Sequence, residues 1–187
     1  MRLNLGCGFT KREGYINVDS APECAPDVLW DLEKLPWPWE DDSVDEIKME
    51  HILEHIGQTP RQYLDIWKEI YRVCKNGAVI DILVPYWRHD YFFDDPTHVR
   101  AITPRGIMML SQKINAEQVR AGVRASKLGL LAGVDIELDE RTVVYGYDAE
   151  QEKGHEIVQL SMKPRVIKPP RGAALLAGHE TQNRSWH

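Results

Sequence analysis

Three groups of residues in this sequence have types and spacings that chemistry can use. In the first, Leu5 runs into Gly6-Cys7-Gly8 and a following apolar stretch closes on Asp19. Glycines let a backbone turn sharply and approach a ligand with no Cβ in the way, and a carboxylate at a strand end can accept both hydroxyls of a ribose. The second is His51-Ile52-Leu53-Glu54-His55, in which two imidazoles and a carboxylate are spaced to ligate a metal or move a proton. The third is the stretch 86–100, where His89 and His98 stand among aromatic rings and the acids Asp90, Asp94 and Asp95. Histidine is the side chain best matched to proton transfer at neutral pH.

Each group has competing readings. A lone GxG is often an ordinary turn. The dinucleotide fingerprint would need a third glycine where Lys11 stands, and its acidic residue falls later than Asp19. No GxxxxGK[ST] occurs, so nothing is built to cradle a triphosphate. An adenosine without phosphates is the ligand that remains. His51 to His55 reads as HxxEH, a zinc-hydrolase pattern when it lies on a helix. That reading needs a third ligand and a helix of adequate length, and Gly57 and Pro60 cut such a helix short; it is kept as a remote alternative. For the stretch 86–100, the competing reading is a lid whose charges pair among themselves.

The elements that must position these groups follow from periodicity. Strands are expected at 3–5, 15–18, 27–32 with Asp31 at its exit, 43–49, and 78–85, the last nearly all apolar and suited to the middle of a parallel sheet. Asp81 within it needs a partner or an exposed face. The doubled prolines around Trp37 and Trp39 exclude regular structure there, and the rings are expected to seal the core. Thr59-Pro60 is an N-cap followed by proline at N1, opening an amphipathic helix to Cys74 with Tyr63, Ile66, Trp67 and Ile70 on one stripe; Lys75-Asn76-Gly77 then supplies a left-handed stop. Thr103-Pro104 opens another helix to 111, and 116–131 reads as a cover helix. Strands at 134–138 and 156–162 complete the pattern, with a small one at 141–147 between them. The expected fold class is α/β, Rossmann-like: a doubly wound, mostly parallel, seven-stranded sheet with helices on both faces and the last strand antiparallel. Residues 1–163 form the domain and 164–187 a tail that is disordered or docks a partner.

Leu3-Asn4-Leu5-Gly6-Cys7-Gly8 followed by Gly14-Tyr15-Ile16-Asn17-Val18-Asp19 resembles the opening of class I S-adenosylmethionine-dependent methyltransferases, in particular a short-looped, type 11-like subgroup, and the likeness extends to about Pro104. The resemblance implies S-adenosylmethionine as cofactor. It places Leu5, Gly6, Cys7 and Gly8 against the methionine part, Asp19 on the ribose, Asp31 and Leu32 on the adenine, and His51 at the same edge. His51 to His55 then resembles the family's xxLEH segment, and Asp95 to Arg100 its DPTHxR loop beside the acceptor pocket. His55, His89 and His98 are the candidate catalytic bases for methyl transfer to an oxygen or nitrogen of a small-molecule or glycan-type acceptor. Some members hold a divalent metal with a comparable Glu/His cluster, but His51 stands where that pattern has an acid, and no metal is expected. Two departures from the family are a first crossover too short for a full helix and no helix ahead of the first strand, so the rival function is a non-catalytic S-adenosylmethionine-binding or assembly protein.

The chain of 187 residues is long enough for one domain with a full core, and its net charge of -6 argues against a broad nucleic-acid-binding face. Three cysteines without a CxxC pair make a disulfide framework unexpected. With no apolar leader before Leu3 and no apolar run of membrane-spanning length, a cytoplasmic protein is expected.

Overall fold

The computed structural model describes residues 1–139, 144–147 and 157–183. The parallel half of the sheet is laid down by β1 (Arg2–Leu5), β2 (Ile16–Asp19), β3 (Val28–Leu29), β4 (Val44–Glu50) and β5 (Cys74–Pro85). Helix α1 (Pro60–Val73) crosses from β4 to β5; after β5 come α2 (Asp90–Asp94), α3 (Pro104–Met108), α4 (Gln112–Arg120) and α5 (Leu128–Ala132). The chain ends with β6 (Ile136–Glu137), β7 (Val144–Tyr147), β8 (Ile157–Met162), β9 (Arg165–Val166) and α6 (Gly172–Asn183). Along its main path the sheet runs β3-β2-β1-β4-β5-β8-β7. The first five strands are mutually parallel, and β8 enters antiparallel between β5 and β7. The fold class is therefore the expected one.

Register fixes which side chains share a face. Leu3 and Leu5 pair with Ile47 and Met49, which pair with Ile80 and Ile82, and all six are fully buried. Against this face α1 lays Tyr63, Ile66, Trp67 and Ile70, the stripe read from the sequence. Thr59 caps the helix through a capping box with Gln62, and Pro60 occupies its first turn. Trp37 and Trp39 fold back into the same core. α1 in turn touches α5, α5 touches α4 and α4 touches α6. The alternate strand positions form a polar row instead, Asn17 beside Asn4, Asn4 beside Lys48, Lys48 beside Asp81. Lys48 Nζ donates to Asp81 at 2.7 Å and to Glu50 at 3.2 Å, and Arg12 clamps Glu50 at 2.6 Å, so Asp81 has the partner it needs.

Several expectations are corrected. The third strand stops at Leu29, which leaves Asp31 in the following turn: its carboxylate accepts from Glu33 N at 2.9 Å. α1 ends at Val73 and Cys74 is already extended, so the positive φ of Gly77 lies within β5, near a shift of register against β4, and does not stop the helix. The cover helix 116–131 is two helices, α4 and α5, with Gly122 at φ +63° between them. Of 134–138 only Ile136–Glu137 forms a strand, off the main path and paired with β9; the outer strand is Val144–Tyr147, at the place given to a minor strand, whose expected start at 141–143 lies outside the described residues, as does Glu156. Beyond residue 163 the chain is tied down. Arg165 pairs with Val79 of β5, Tyr71 donates its hydroxyl to Ile167 O at 2.9 Å, and Arg171 Nε reaches the fully buried Asp135 at 2.7 Å. Residues 184–187 of the expected tail lie outside the described residues.

Candidate functional site

The strand order reverses between β1 and β4, and in open α/β sheets the crevice at the carboxyl ends of the strands flanking such a reversal is where ligands sit. Leu5 ends β1 there, and Gly6 at φ +64° and Gly8 at φ +50° turn the chain. The two glycines answer to different constraints. A Cβ on Gly6 would stand 2.6 Å from Ile52 Cγ1, whereas one on Gly8 would meet nothing within 4 Å. Gly6 is thus packed against the segment leaving β4, and Gly8 borders open space. Gly8 N donates to Asp19 Oδ2 at 2.7 Å, and Asp19 Oδ1 accepts from Ala21 N at 2.9 Å. Cys7 is buried between them, and its backbone N donates to Val18 O. Burial, reinforced by Asp19, pushes the Cys7 thiol up.

The short connection from β1 to β2 holds its shape through residues that sequence reasoning missed. Asn4 donates from Nδ2 to Thr10 O and to Asn17 Oδ1, both at 3.0 Å, while Asn17 Oδ1 also accepts from Arg12 N at 2.8 Å. Asp27 in turn accepts from Asn17 N and Nδ2, hydrogen bonds that hold its carboxyl below the usual range. The available signal was two asparagines inside short apolar strands, where a buried amide must find partners.

Leu32 is a core residue whose carbonyl accepts from Trp37 Nε1 at 3.0 Å. His51 leaves β4 with φ +51°, a left-handed conformation uncommon outside glycine, and donates its backbone N–H to Leu83 O. Residues 51–56 form turns and no helix, so HxxEH lacks the helical face that the hydrolase pattern requires. The turn brings Glu54 inward to 1% exposure. His51 Nδ1 lies 3.5 Å from its Oε1, an ion-pair distance too long for a good hydrogen bond; Glu54 raises the His51 pKa against the opposing effect of burial.

The stretch after β5 is laced to this turn. Val99 N donates to Glu54 O at 2.9 Å, Arg100 Nη2 to Gly57 O at 2.8 Å, and His55 Nδ1 meets Thr97 Oγ1 at 2.9 Å. The His55 and His98 rings pack edge to face, with centroids 4.6 Å apart. Together with His51, Glu54, Tyr91 and Asp95 they line a cavity of about 330 Å³. His89 is placed differently. It is the N-cap of α2, accepting from Tyr91 N through Nδ1 at 3.1 Å, is 6% exposed, and does not line that cavity.

No protein-family model and no curated protein sequence matches the chain. Solved structures do match. A SAM-dependent methyltransferase from Archaeoglobus fulgidus superposes with a TM-score of 0.55 at 18% identity, over 88% of this chain and 85% of that one. A putative S-adenosylmethionine-dependent methyltransferase from Listeria monocytogenes gives 0.55 at 12% identity, over 89% and 91%. The 1,6-didemethyltoxoflavin-N1-methyltransferase of Burkholderia thailandensis, solved with its substrate and S-adenosylhomocysteine, gives 0.50 at 16% identity, over 89% and 71%. At such identities the likeness is one of architecture, and it agrees with the strand order and the glycine turn: this chain has the class I S-adenosylmethionine-dependent methyltransferase fold.

Proposed function

We propose that the chain is an S-adenosylmethionine-dependent methyltransferase that acts on an oxygen or nitrogen of a small-molecule or glycan-type acceptor. The observation that carries the reading is the Gly8–Asp19 hydrogen bond at the reversal of strand order, with open space where a Gly8 side chain would stand. The backbone from Leu5 to Gly8 lines the methionine side. Asp19, with both oxygens already oriented by backbone N–H groups, keeps lone pairs for ribose hydroxyls. Asp31 and Leu32 serve the adenine and His51 the β4 side of the cleft. The bound cofactor supplies an electrophilic methyl on a sulfonium; this chain's residues contribute alignment and exclusion of water.

On the acceptor side, the exposed rings of Tyr91 and Phe93 offer apolar faces to a ring-shaped acceptor. A hydroxyl acceptor needs a base. His55 and His98 share one cavity and fit that role better than His89, which does not line it. The test is transfer of labelled methyl from S-adenosylmethionine to a panel of hydroxylated and amine acceptors that includes oligosaccharides. Label on an acceptor is expected. Tight cofactor binding with transfer to no acceptor would favour the non-catalytic alternative, for which the short connection between β1 and β2 speaks.

A further inference from the structure

The Glu54 carboxylate lines the cavity between the exit of β4 and the stretch after β5, is 1% exposed, and has no hydrogen-bond partner for either oxygen among the described residues. A buried carboxylate in that state is costly unless a cation with hydrogen-bond donors compensates it. His51 does so poorly: it is half exposed, approaches only Oε1, and stands 3.5 Å away. Among the described residues that line the cavity there is no lysine or arginine, whereas Asp95 adds a second acid and Tyr91 an aromatic ring. The positive charge that this lining calls for has to come from a ligand.

The acceptor atoms narrow the kind of cation. Thr97 Oγ1 donates to Asp95 Oδ1 at 2.6 Å, so the hydroxyl oxygen accepts from His55 Nδ1–H. His98 Nδ1 lies 2.7 Å from Phe92 O, and a carbonyl can only accept. Both Nδ1 atoms therefore carry protons, and each Nε2 keeps a lone pair. Glu54, His55 and His98 thus offer three hydrogen-bond acceptors, from side chains whose polar atoms come within 4.8 Å of one another. An ammonium nitrogen that donates three hydrogen bonds of about 2.8 Å in tetrahedral directions needs acceptors roughly 4.6 Å apart.

We infer that this cavity selects a protonated alkyl amine, with Glu54 as the residue that sets the selectivity and Tyr91 as an aromatic face for the cation or the group that carries it. The inference rests on the methyltransferase reading and narrows its acceptor from an oxygen or nitrogen to an amine nitrogen. His51, given to the β4 side of the cofactor cleft, also lines this cavity, so the two spaces are contiguous. An ammonium must shed one proton before its nitrogen has a lone pair to share, and Nε2 of His55 or His98 is the atom that takes it. A neutral alcohol of the same shape brings one donor and no charge, and it leaves Glu54 uncompensated. Discrimination of this kind is strong because the penalty falls on a buried charge left without a partner.

The test reads binding apart from transfer. In buffer containing EDTA, so that no metal ion competes for the carboxylate, the protein is titrated by NMR with phenethylammonium, cyclohexylammonium and glucosammonium chlorides. Each is compared with its hydroxyl counterpart, phenethyl alcohol, cyclohexanol or glucose, with and without saturating S-adenosylhomocysteine. At least one ammonium is expected to bind about 10- to 100-fold more tightly than its counterpart. That preference should persist in about 0.5 M sodium chloride, because a buried pair is screened little. Glu54→Gln, which keeps the shape and removes the charge, should bring the paired affinities together. Melting curves establish that the variant is folded; if it is not, Tyr91→Leu, at an exposed position, should weaken ammonium binding several-fold, and the salt series on the parent stands by itself. Equal affinity for every ammonium and its alcohol would overturn the inference, as would a preference abolished by salt or one unchanged in Glu54→Gln. Failure of S-adenosylhomocysteine to bind would count against the methyltransferase reading instead, and the ammonium preference would still be read on the unloaded protein.

Discussion

At the scale of single residues, two glycines one position apart turn out to be required for unlike reasons. Both have positive φ, so alanine is strained at either. At Gly6 the added methyl also meets Ile52 at 2.6 Å. Gly6→Ala should therefore destabilise the protein by about 2–4 kcal/mol, strain and overpacking together, and Ile52→Ala in the same chain should recover part of the loss. Gly8→Ala should cost only about 1 kcal/mol of stability, yet weaken S-adenosylhomocysteine binding, since its methyl would project into the cleft. Urea melts and calorimetry on the two variants separate these effects; equal losses of stability would show that the packing difference is immaterial. The GxG pattern was legible in the sequence, but the division of labour was not, because Ile52 becomes a neighbour only through the pairing of β1 with β4. The pairing of Thr97 with His55 was hidden for the same reason: it is a contact between stretches far apart in sequence.

At the scale of elements, what was legible was what local physics decides. The cap and proline opening α1, its apolar stripe and the alternation of β4 appear where periodicity places them. What failed were boundaries decided by tertiary pairing. A short strand such as β6 is defined by its partner β9, and nothing in the alternation of 134–138 reveals that the partner lies beyond residue 163. The join depends on Asp135. Its carboxylate, fully buried, accepts from Gln112 N and from Arg171 N, Nε and Nη2, and the pairing with Asp135 raises the Arg171 pKa. Removing one member of a buried ion pair strands the other. Arg171→Ala should thus destabilise the protein by roughly 3 kcal/mol, read as a shift in urea midpoint at unchanged slope. A variant as stable as the parent would make residues after 163 a true appendage.

At the scale of the whole molecule, the sheet carries an apolar core on the face where α1 packs and a paired polar array of Arg12, Lys48, Glu50 and Asp81 on the other. Its stability should therefore respond to acid. Burial alone would raise the Glu50 pKa, but hydrogen bonds from Arg12 and Lys48 outweigh it and lower the value below 4.5. A carboxylate depressed in the folded state stabilises fully above its unfolded pKa, and that contribution is lost as pH falls through the folded one. Stability should decline as pH drops below about 4.5, and Glu50→Gln should lose part of that pH dependence; an identical acid profile in the variant would show that the array contributes nothing. The larger claim is that the same fold holds an adenosyl cofactor at the reversal of its strand order. The most direct measurement is calorimetric titration of the parent and Asp19→Ala with S-adenosylhomocysteine. Saturable binding of one molecule per chain by the parent is expected, with a loss of roughly 1.5–3 kcal/mol in the variant. No binding by the parent, or equal binding by both, would contradict it.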